Sequence, residues 1–398
     1  MVGTMQNIVV AEPYRFVPPH RGGFWPWLFG RLLVRGKLRA FGVEQLEFKG
    51  LERLRASFAA GHGVMLTPNH CRPCDPFVIL ALLASEGRSA YSMASWHLFK
   101  QSWMQTWFLR KAGVFSIYRE GLDRESLRLA FELLAEARRP LVLFPEGVVT
   151  RSNDRLLDLM DGTAFIARNA AKTRGDKGKV VVHPVAIRYL HDGDTKSAVT
   201  AVLQDIERRL SWRARPDLPV LERIAKVGGA LLALKEIEHL GAQQPGSMAD
   251  RIDRLVDHLL VPLEQEWRKG KREDNVVARV KALRIAIVPE LATGDLAEDE
   301  RARRWRHLED CYVAQQLSLY PRGYLDDATP ERLLETVERF DEDLTDDARI
   351  HRPMRVVVEV GDAIPVSAQR ERGADGDPLM ETLRTSLETM LAASRRKA

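Results

Sequence analysis

The densest chemistry in the chain lies in PNHCRPCDPF, residues 68–77. A neutral imidazole can take a proton from a hydroxyl near pH 7. It does so best when a carboxylate holds its other ring nitrogen and stabilises the imidazolium. His70 and Asp75, with four residues between them, are close enough in sequence to form such a pair across one turn. The pattern predicts that His70 closes a strand and Asp75 opens the next helix, the junction where α/β sheets gather their sites. A plainer use stands beside this one. Asp75 followed by Pro76 suits a helix start, with Asp as N-cap and Pro as first helical residue, and His70 would then be a satisfied core histidine. Cys71 and Cys74 add a CxxC, which admits redox chemistry or, with His70 and Asp75, a metal site. No second cysteine pair completes a structural zinc site, and four ligands this close in sequence would be cramped. Two partly buried thiols and no metal are expected.

Three further stretches carry polar groups at predicted strand ends. GVFSIYRE (113–120) would present Arg119 at the sheet edge, and a guanidinium suits bidentate phosphate binding. FPEGVVTRSNDRL (144–156) places Glu146 and Gly147 at another strand end. Gly147 allows a tight turn with exposed backbone N–H groups, and Thr150, Arg151, Ser152 and Arg155 add donors for an anion. VVVHPVAI sets His183 and Pro184 inside an apolar strand. Pro184 cannot donate to a ladder, so it predicts an edge or a bulge.

Taken in order, Asn69-His70-(four residues)-Asp75, Gly113-(five residues)-Arg119, Phe144-Pro145-Glu146-Gly147 and Val182-His183-Pro184-Val185 resemble the four signature blocks of the glycerolipid acyltransferases. The type member acylates lysophosphatidic acid. The resemblance covers roughly 46–192 together with VGDAIPV and the helix after it, about half the chain. It implies that His70 is the general base on an acceptor hydroxyl, that Asp75 orients it, and that Arg119 holds the acceptor's phosphate. It further implies that Asn69, Gly113, Glu146, Gly147, Thr150 and Arg151 shape the acceptor site and that Pro184 lines the acyl-donor side. The donor would be acyl-CoA or an acyl-carrier protein, with no cofactor and no covalent acyl-enzyme, and the product would be phosphatidic acid. The cysteines would be spectators. Backbone N–H groups at the helix start after Asp75 would receive the developing oxyanion. The chain departs from the pattern twice. Val148 and Val149 intervene between Glu146-Gly147 and Thr150-Arg151-Ser152, which puts the acceptor's identity in question. A helical stretch of about 160 residues is also foreign to the compact enzyme.

Positioning these residues requires a sheet. LEFKG (46–50), GVMLTPNH (63–70), SAYSMAS (89–95), GVFSIY (113–118), PLVLFPEG (140–147) and KVVVHPVAI (179–187) read as strands, with helical runs such as Glu125–Arg138 and Asp161–Thr173 between them. The alternation predicts an α/β domain with a mostly parallel central sheet flanked by helices. From 193 to about 350, five runs have apolar residues at helical spacing. RVVVEVGDAIPV (355–366) is a strand again and Leu379–Leu391 a closing helix. A lone strand needs a sheet to join, so the economical division is an N-terminal segment 1–45, an acyltransferase-like domain 46–192, a helical insertion 193–351, and a returning strand and helix 352–398. No internal repeat at a fixed period is visible.

FWPWLFGRLLVRGKLRAF (24–41) packs aromatic and aliphatic groups beside a basic cluster, the composition of a helix lying in a membrane interface. SWHLFKQSWMQTWFLRKAG (95–113) spaces Trp96, Trp103 and Trp107 close to a helical period, which suits a membrane interface or a buried core helix.

Composition sets the outer bounds. In 398 residues, 45% are apolar and 29% charged, as in an ordinary globular protein. Lys+Arg 60 against Asp+Glu 55 leaves +5, which permits an acidic membrane surface or a phosphate substrate without demanding a nucleic acid. Three cysteines suit a reducing compartment. No signal peptide and no spanning helix of ~20 apolar residues are expected. The expectation is a cytoplasmic protein, peripheral on the inner face of the membrane, with a lysophospholipid acceptor and an acyl thioester donor as partners. A metal hydrolase built on His70, Cys71, Cys74 and Asp75, and a non-catalytic membrane-bound interaction protein, are the competing readings.

Overall fold

The computed structural model describes residues 11–213, 215, 217–294, 296–369 and 377–393. The first ten residues and the basic tail SRRKA lie outside them. Two compact units emerge. One holds 16–117, 123–195 and 350 onward; the other holds 11–15, 118–122 and 196–349.

Among the described residues the first unit is built on eight strands: β1 (Val43–Lys49), β2 (Gly63–Pro68), β3 (Tyr91–Ser95), β4 (Val114–Ile117), β5 (Leu141–Val142), β6 (Val180–His191), β7 (Met354–Val360) and β8 (Ile364–Pro365). They order as β1-β7-β6-β2-β5-β3-β4, with β8 also on β6. From β6 to β4 every pairing is parallel, while β7 runs antiparallel to β6 and carries β1 parallel to itself. The result is the expected mostly parallel α/β sheet. Central strands of such a sheet are covered on both faces and read as continuous apolar runs. Every residue of β2 and of β6 is buried.

Helices α1 (Phe24–Leu32), α2 (Val34–Ala40), α3 (Leu51–Ala59), α4 (Asp75–Ser85), α5 (His97–Lys100), α6 (Trp103–Ala112), α7 (Arg124–Glu136) and α8 (Gly162–Arg174) complete this unit together with the last helix of the chain. Side chains alternate across the strands. Val64 and Leu66 of β2, with Val185, Ile187 and Tyr189 of β6, pack against α2 and α4. Met65, Val180 and Val182 face the other way, onto α7, α8 and the last helix.

Several expected elements are shorter or divided. The run 24–41 is two helices breaking at Leu33, and 95–113 is two helices, the second capped by Ser102, whose hydroxyl accepts Gln105 N–H. The strand expected over 140–147 pairs only at Leu141–Val142, because the chain turns away at Phe144 to build a loop. Pro184 marks no edge: β6 lies inside the sheet, with Thr67 of β2 opposite Pro184. On the other flank the partner changes from β8 to β7 at this point. Pro184's carbonyl faces that flank and accepts Gly361 N–H. A residue's N–H and C=O point the same way in a strand, so the missing donor falls in the gap between partners.

The second unit is all helix: α9 (Thr195–Arg209), α10 (Val220–Leu240), α11 (Met248–Arg268), α12 (Val276–Thr293), α13 (Glu298–Leu317) and α14 (Pro330–Thr345). The last helix of the chain, α15 (Pro378–Ala393), belongs to the first unit. Helix α14 falls within the stretch 193–350 that reads as nearly all helix, and it buries Glu331, Glu335, Glu338 and Glu342 along with its apolar residues. A device recurs along this unit that no sequence period announces. Near the end of each of α9, α10 and α11 a glutamate takes a bidentate arginine from the start of the next helix: Glu207 with Arg223, Glu236 with Arg251, Glu264 with Arg279. Glu290 and Arg304 repeat the pairing between α12 and α13. Separations of 16, 15, 15 and 14 residues shift too much to register as a period.

The first three pairs are buried on both sides, so breaking one leaves an uncompensated charge. Arg251→Ala is expected to destabilise the helical unit by ~3–5 kcal/mol, and Arg251→Met with Glu236→Leu to recover most of that loss. Urea denaturation followed by far-UV circular dichroism checks both.

Candidate active site

The site forms where β2 ends. The chain leaves the strand at Pro68, turns through Asn69 to Cys74, and enters α4 at Asp75. Asn69 anchors that turn. Its amide donates to the Ile187 carbonyl at 3.1 Å and accepts Ile187 N–H at 2.7 Å, so its side chain acts as an extra strand residue on β6. His70 follows, and its Nδ1 lies 2.8 Å from Asp75 Oδ2. A carboxylate there requires the proton on Nδ1, which leaves Nε2 with its lone pair. Among the described residues Nε2 has no hydrogen-bond partner, and the His70 side chain is 16% exposed.

Asp75 is fully buried and shared. Arg72 N–H donates to Oδ2 at 2.9 Å and the Tyr189 hydroxyl to Oδ1 at 2.6 Å. Burial and then the charge of Asp75 push the Tyr189 phenol well above its ordinary value, so it stays a donor. Asp75 is the first helical residue and Cys74 the N-cap, without a side-chain cap bond. The capping role expected for Asp75 is therefore replaced by the turn bond from Arg72 and the contact to His70.

His70 is held from three other directions. Its N–H donates to Glu146 Oε1 at 2.7 Å, its carbonyl accepts Thr150 N–H at 2.7 Å and the Thr150 hydroxyl at 3.2 Å, and Phe144 stacks on its ring at 4.2 Å between centroids. Glu146 bridges this turn to the loop beyond, accepting Leu157 N–H at 2.7 Å on its other oxygen. Burial pushes Glu146 up to about 8, against the pull of the Leu157 and His70 N–H groups and with a smaller push from Asp75. Gly147 turns with φ +70, and Met160 sits so close that a Cβ there would meet its sulfur at 2.3 Å. Val148 is buried and Arg151 adopts φ 56, so the two intervening valines leave Thr150 on the His70 carbonyl. Thr150 positions the histidine backbone with both of its donors.

The other expected residues lie elsewhere. Gly113 ends α6 in the left-handed region, where a Cβ would meet the Ala90 carbonyl at 2.7 Å. Pro184 lies in β6, three residues ahead of Asn69's clamp at Ile187. Arg119 falls in the 118–122 segment, which groups with the helical unit. His183 is a core histidine: Nδ1 donates to the Gly361 carbonyl at 2.9 Å, Nε2 accepts the Ser57 hydroxyl at 2.8 Å, and burial lowers its pKa. The N–H groups expected to receive an oxyanion are engaged, since Asp75 N–H bonds the Arg72 carbonyl, Phe77 N–H bonds the Cys74 carbonyl, and Pro76 has none. Cys74 is buried against the Tyr189 hydroxyl at 3.2 Å, and burial followed by the charge of Asp75 pushes its thiol up to about 12. Among the described residues no three His, Cys, Asp or Glu side chains group as metal ligands.

Sequence reasoning missed three contributors. Tyr189 completes Asp75, Phe144 covers the imidazole, and Asn153 clamps Tyr189's backbone at 2.6 and 2.7 Å as Asn69 clamps Ile187. Two-residue alternation from Val185 through Ile187 to Tyr189 was the available signal, since it sets Tyr189 on the face of β6 that looks onto α4.

Residues 45–188 match the family model described as Acyltransferase. No curated protein matches the chain. The matched segment holds His70, Asp75, Glu146 and Thr150, so acyl transfer is the class of chemistry of this domain.

Glu146 makes stability depend on pH. Its folded pKa of about 8 lies above the ordinary 4.5, so protonation favours the fold. That contribution is complete below 4.5 and is lost as pH rises through 8. Denaturation measured across this range should show wild-type stability falling with rising pH, and Glu146→Gln should remove that slope.

Proposed function

We propose that the protein transfers a fatty acyl group from an acyl thioester, acyl-CoA or acyl-carrier protein, to the free hydroxyl of lysophosphatidic acid, giving phosphatidic acid. The observation that carries the reading is the His70–Asp75 pair, with Nδ1 held at 2.8 Å and Nε2 left open. An alcohol is a poor nucleophile at neutral pH, so a base on its proton is the essential part. Nε2 takes the hydroxyl proton as the oxygen attacks the thioester carbonyl. Asp75 holds the imidazolium that forms. Collapse of the tetrahedral intermediate breaks the C–S bond, and His70 returns the proton to the leaving thiolate. No cofactor and no acyl-enzyme enter this sequence.

A membrane surface is the partner this chemistry needs, since both acceptor and product are lipids. Helices α1 and α6 support it. They meet at Trp25 and Trp107, with ring centroids 5.0 Å apart, while Trp103 is 78% exposed and Phe24 61%. No residue of α6 is fully buried, which supports the interfacial reading for its half of 95–113. Arg31, Arg35, Lys37 and Arg39 are exposed beside this patch, where anionic headgroups would meet them. Among the described residues no helix is long and apolar enough to cross a membrane. The location we propose is peripheral, on the cytoplasmic face of the membrane.

Acyl transfer from a long-chain acyl-CoA to lysophosphatidic acid on anionic vesicles tests the reaction. His70→Ala should lose at least ~100-fold, the scale of general-base catalysis. Equal rates in wild type and variant would remove His70 from the mechanism, and transfer only to glycerol 3-phosphate or another lysolipid would reassign the acceptor. Co-sedimentation with the same vesicles tests the surface: Trp103→Ser with Trp107→Ser should weaken binding at least ~10-fold.

A further inference from the structure

The end of the sheet away from His70 gathers basic groups that the chemistry above does not use. β2 starts there at Gly63, and its six residues run roughly 17 Å to the catalytic turn. Three neighbouring strands, β2, β5 and β3, start side by side at this end. The chain enters each through a short loop, and each loop brings a basic side chain: His62 before β2, Arg88 before β3, and Arg138 and Arg139 before β5. Together they line a small pocket with Phe58 and Pro140, and among the described residues no carboxylate lines it.

Helices α3, α4 and α7 end at the same place, and cations beside helix C-termini are ordinary. Arg174 plays that part, donating to the Ala135 carbonyl at 2.6 Å and to the Gly61 carbonyl. The pocket residues do not. Arg88 lies over the Phe58 ring at 4.6 Å and pairs with no acid among the described residues. Arg138 is 78% exposed, with Glu136 no nearer than 3.9 Å. Arg139 lies over Tyr91 at 4.5 Å and gives one N–H to the Arg21 carbonyl. Its other terminal nitrogen is buried without a hydrogen-bond partner, and so is Nδ1 of His62. Buried polar atoms left unmatched are a cost to the fold, and the oxygens of an anion would meet it.

We propose that this pocket binds a phosphate monoester, at a site separate from the catalytic turn. The room is about 20 Å³, enough for one oxygen atom. One phosphate oxygen enters, and the others stay at the mouth, where Arg88 and Arg138 are exposed. A guanidinium fork suits two such oxygens. His62 also lines a wider cleft of about 420 Å³, where Ala56, Val181 and Pro365 sit beside Arg53 and Lys179. Asp362, the acid of that cleft, is taken up by Arg53 at 3.0 Å. The cleft gives the carrier of the phosphate a partly apolar place next to the pocket. A phosphatidic acid headgroup and a soluble nucleoside monophosphate both end in the required dianion.

Isotope labelling of histidine Cε1, read by NMR, reports on the site directly, because the chain has only ten histidines and His62→Gln identifies its signal. At constant pH and ionic strength, inorganic phosphate should shift the His62 signal saturably in the wild-type chain. Arg88→Gln with Arg138→Gln changes two exposed side chains, so the signal should start where it does in wild type. Binding should weaken at least ~10-fold, the scale for losing charged hydrogen bonds. Arg88→Lys with Arg138→Lys should retain most of it. No saturable shift in wild type, or equal affinity in the glutamine variant, would overturn the proposal. So would a His62 shift that only follows the His70 signal, since it would report binding at the catalytic turn. Dihexanoyl phosphatidic acid, below its micelle concentration, and adenosine monophosphate then separate the sources. Tighter binding of the first assigns a lipid headgroup, and tighter binding of the second a soluble ester.

Discussion

A fully buried carboxylate, Asp75, is the constraint from which the site follows. Leaving a charge unpaired in an apolar interior costs far more than a fold can supply, so partners must be built around it. Two elements converge to do so: the turn after β2 supplies the Arg72 N–H and the His70 ring N–H, and β6 supplies the Tyr189 hydroxyl. None could shift without stranding the charge. The catalytic pairing and the stability of this junction are therefore one requirement. The imidazole is oriented because Asp75 needs it, and it is held in the tautomer that leaves a lone pair facing outward.

Glu146, the second buried carboxylate, meets the opposite fate. Two N–H groups bond it and the charge of Arg384 adds only a small pull, so burial dominates and pushes it up to about 8. Near neutral pH Glu146 is thus held in its protonated form. Two carboxylates on either side of one histidine serve different ends because their partners differ. Asp75 tunes the ring, and Glu146 ties the ring's backbone to the loop through Leu157.

How much of this could be read from the residues depends on the range of the interactions. The sheet was legible because β2 and β6 are buried on both faces and show unbroken apolar runs. The His70–Asp75 pair was legible because both partners lie within one turn of chain. Pro184 misled, because a local rule about missing donors cannot know that β7 and β8 leave a gap at that point of β6. The Glu–Arg pairs of the helical unit escaped, since helix and loop lengths vary while the contact does not. Helix α14 lies within the stretch 193–350 that reads as nearly all helix, and Leu333, Val337, Phe340 and Leu344 carry its helical period. Tyr189 lies 114 residues from Asp75, and only the register between β2 and β6 brings them together.

That register explains why β6 is the longest strand. Its first half pairs with β2 and fixes the height at which β2 ends, with Pro68 opposite Val185. Beyond that point β2 has no residues left, and the side chains of Asn69 and Asn153 take over the vacated positions at Ile187 and Tyr189. An asparagine amide offers one donor and one acceptor, as a peptide unit does, so each continues the ladder without continuing the strand. The substitution lets the backbone leave the sheet plane at His70 while β6 still senses a neighbour. His70 is thereby fixed at four points: its backbone N–H on Glu146, its backbone carbonyl on Thr150, its ring face on Phe144 and its Nδ1 on Asp75. A ring flip would break the Asp75 contact and strand the buried charge. The one ring nitrogen left for a substrate is Nε2, and its direction is set by a carboxylate that the fold cannot leave unpaired.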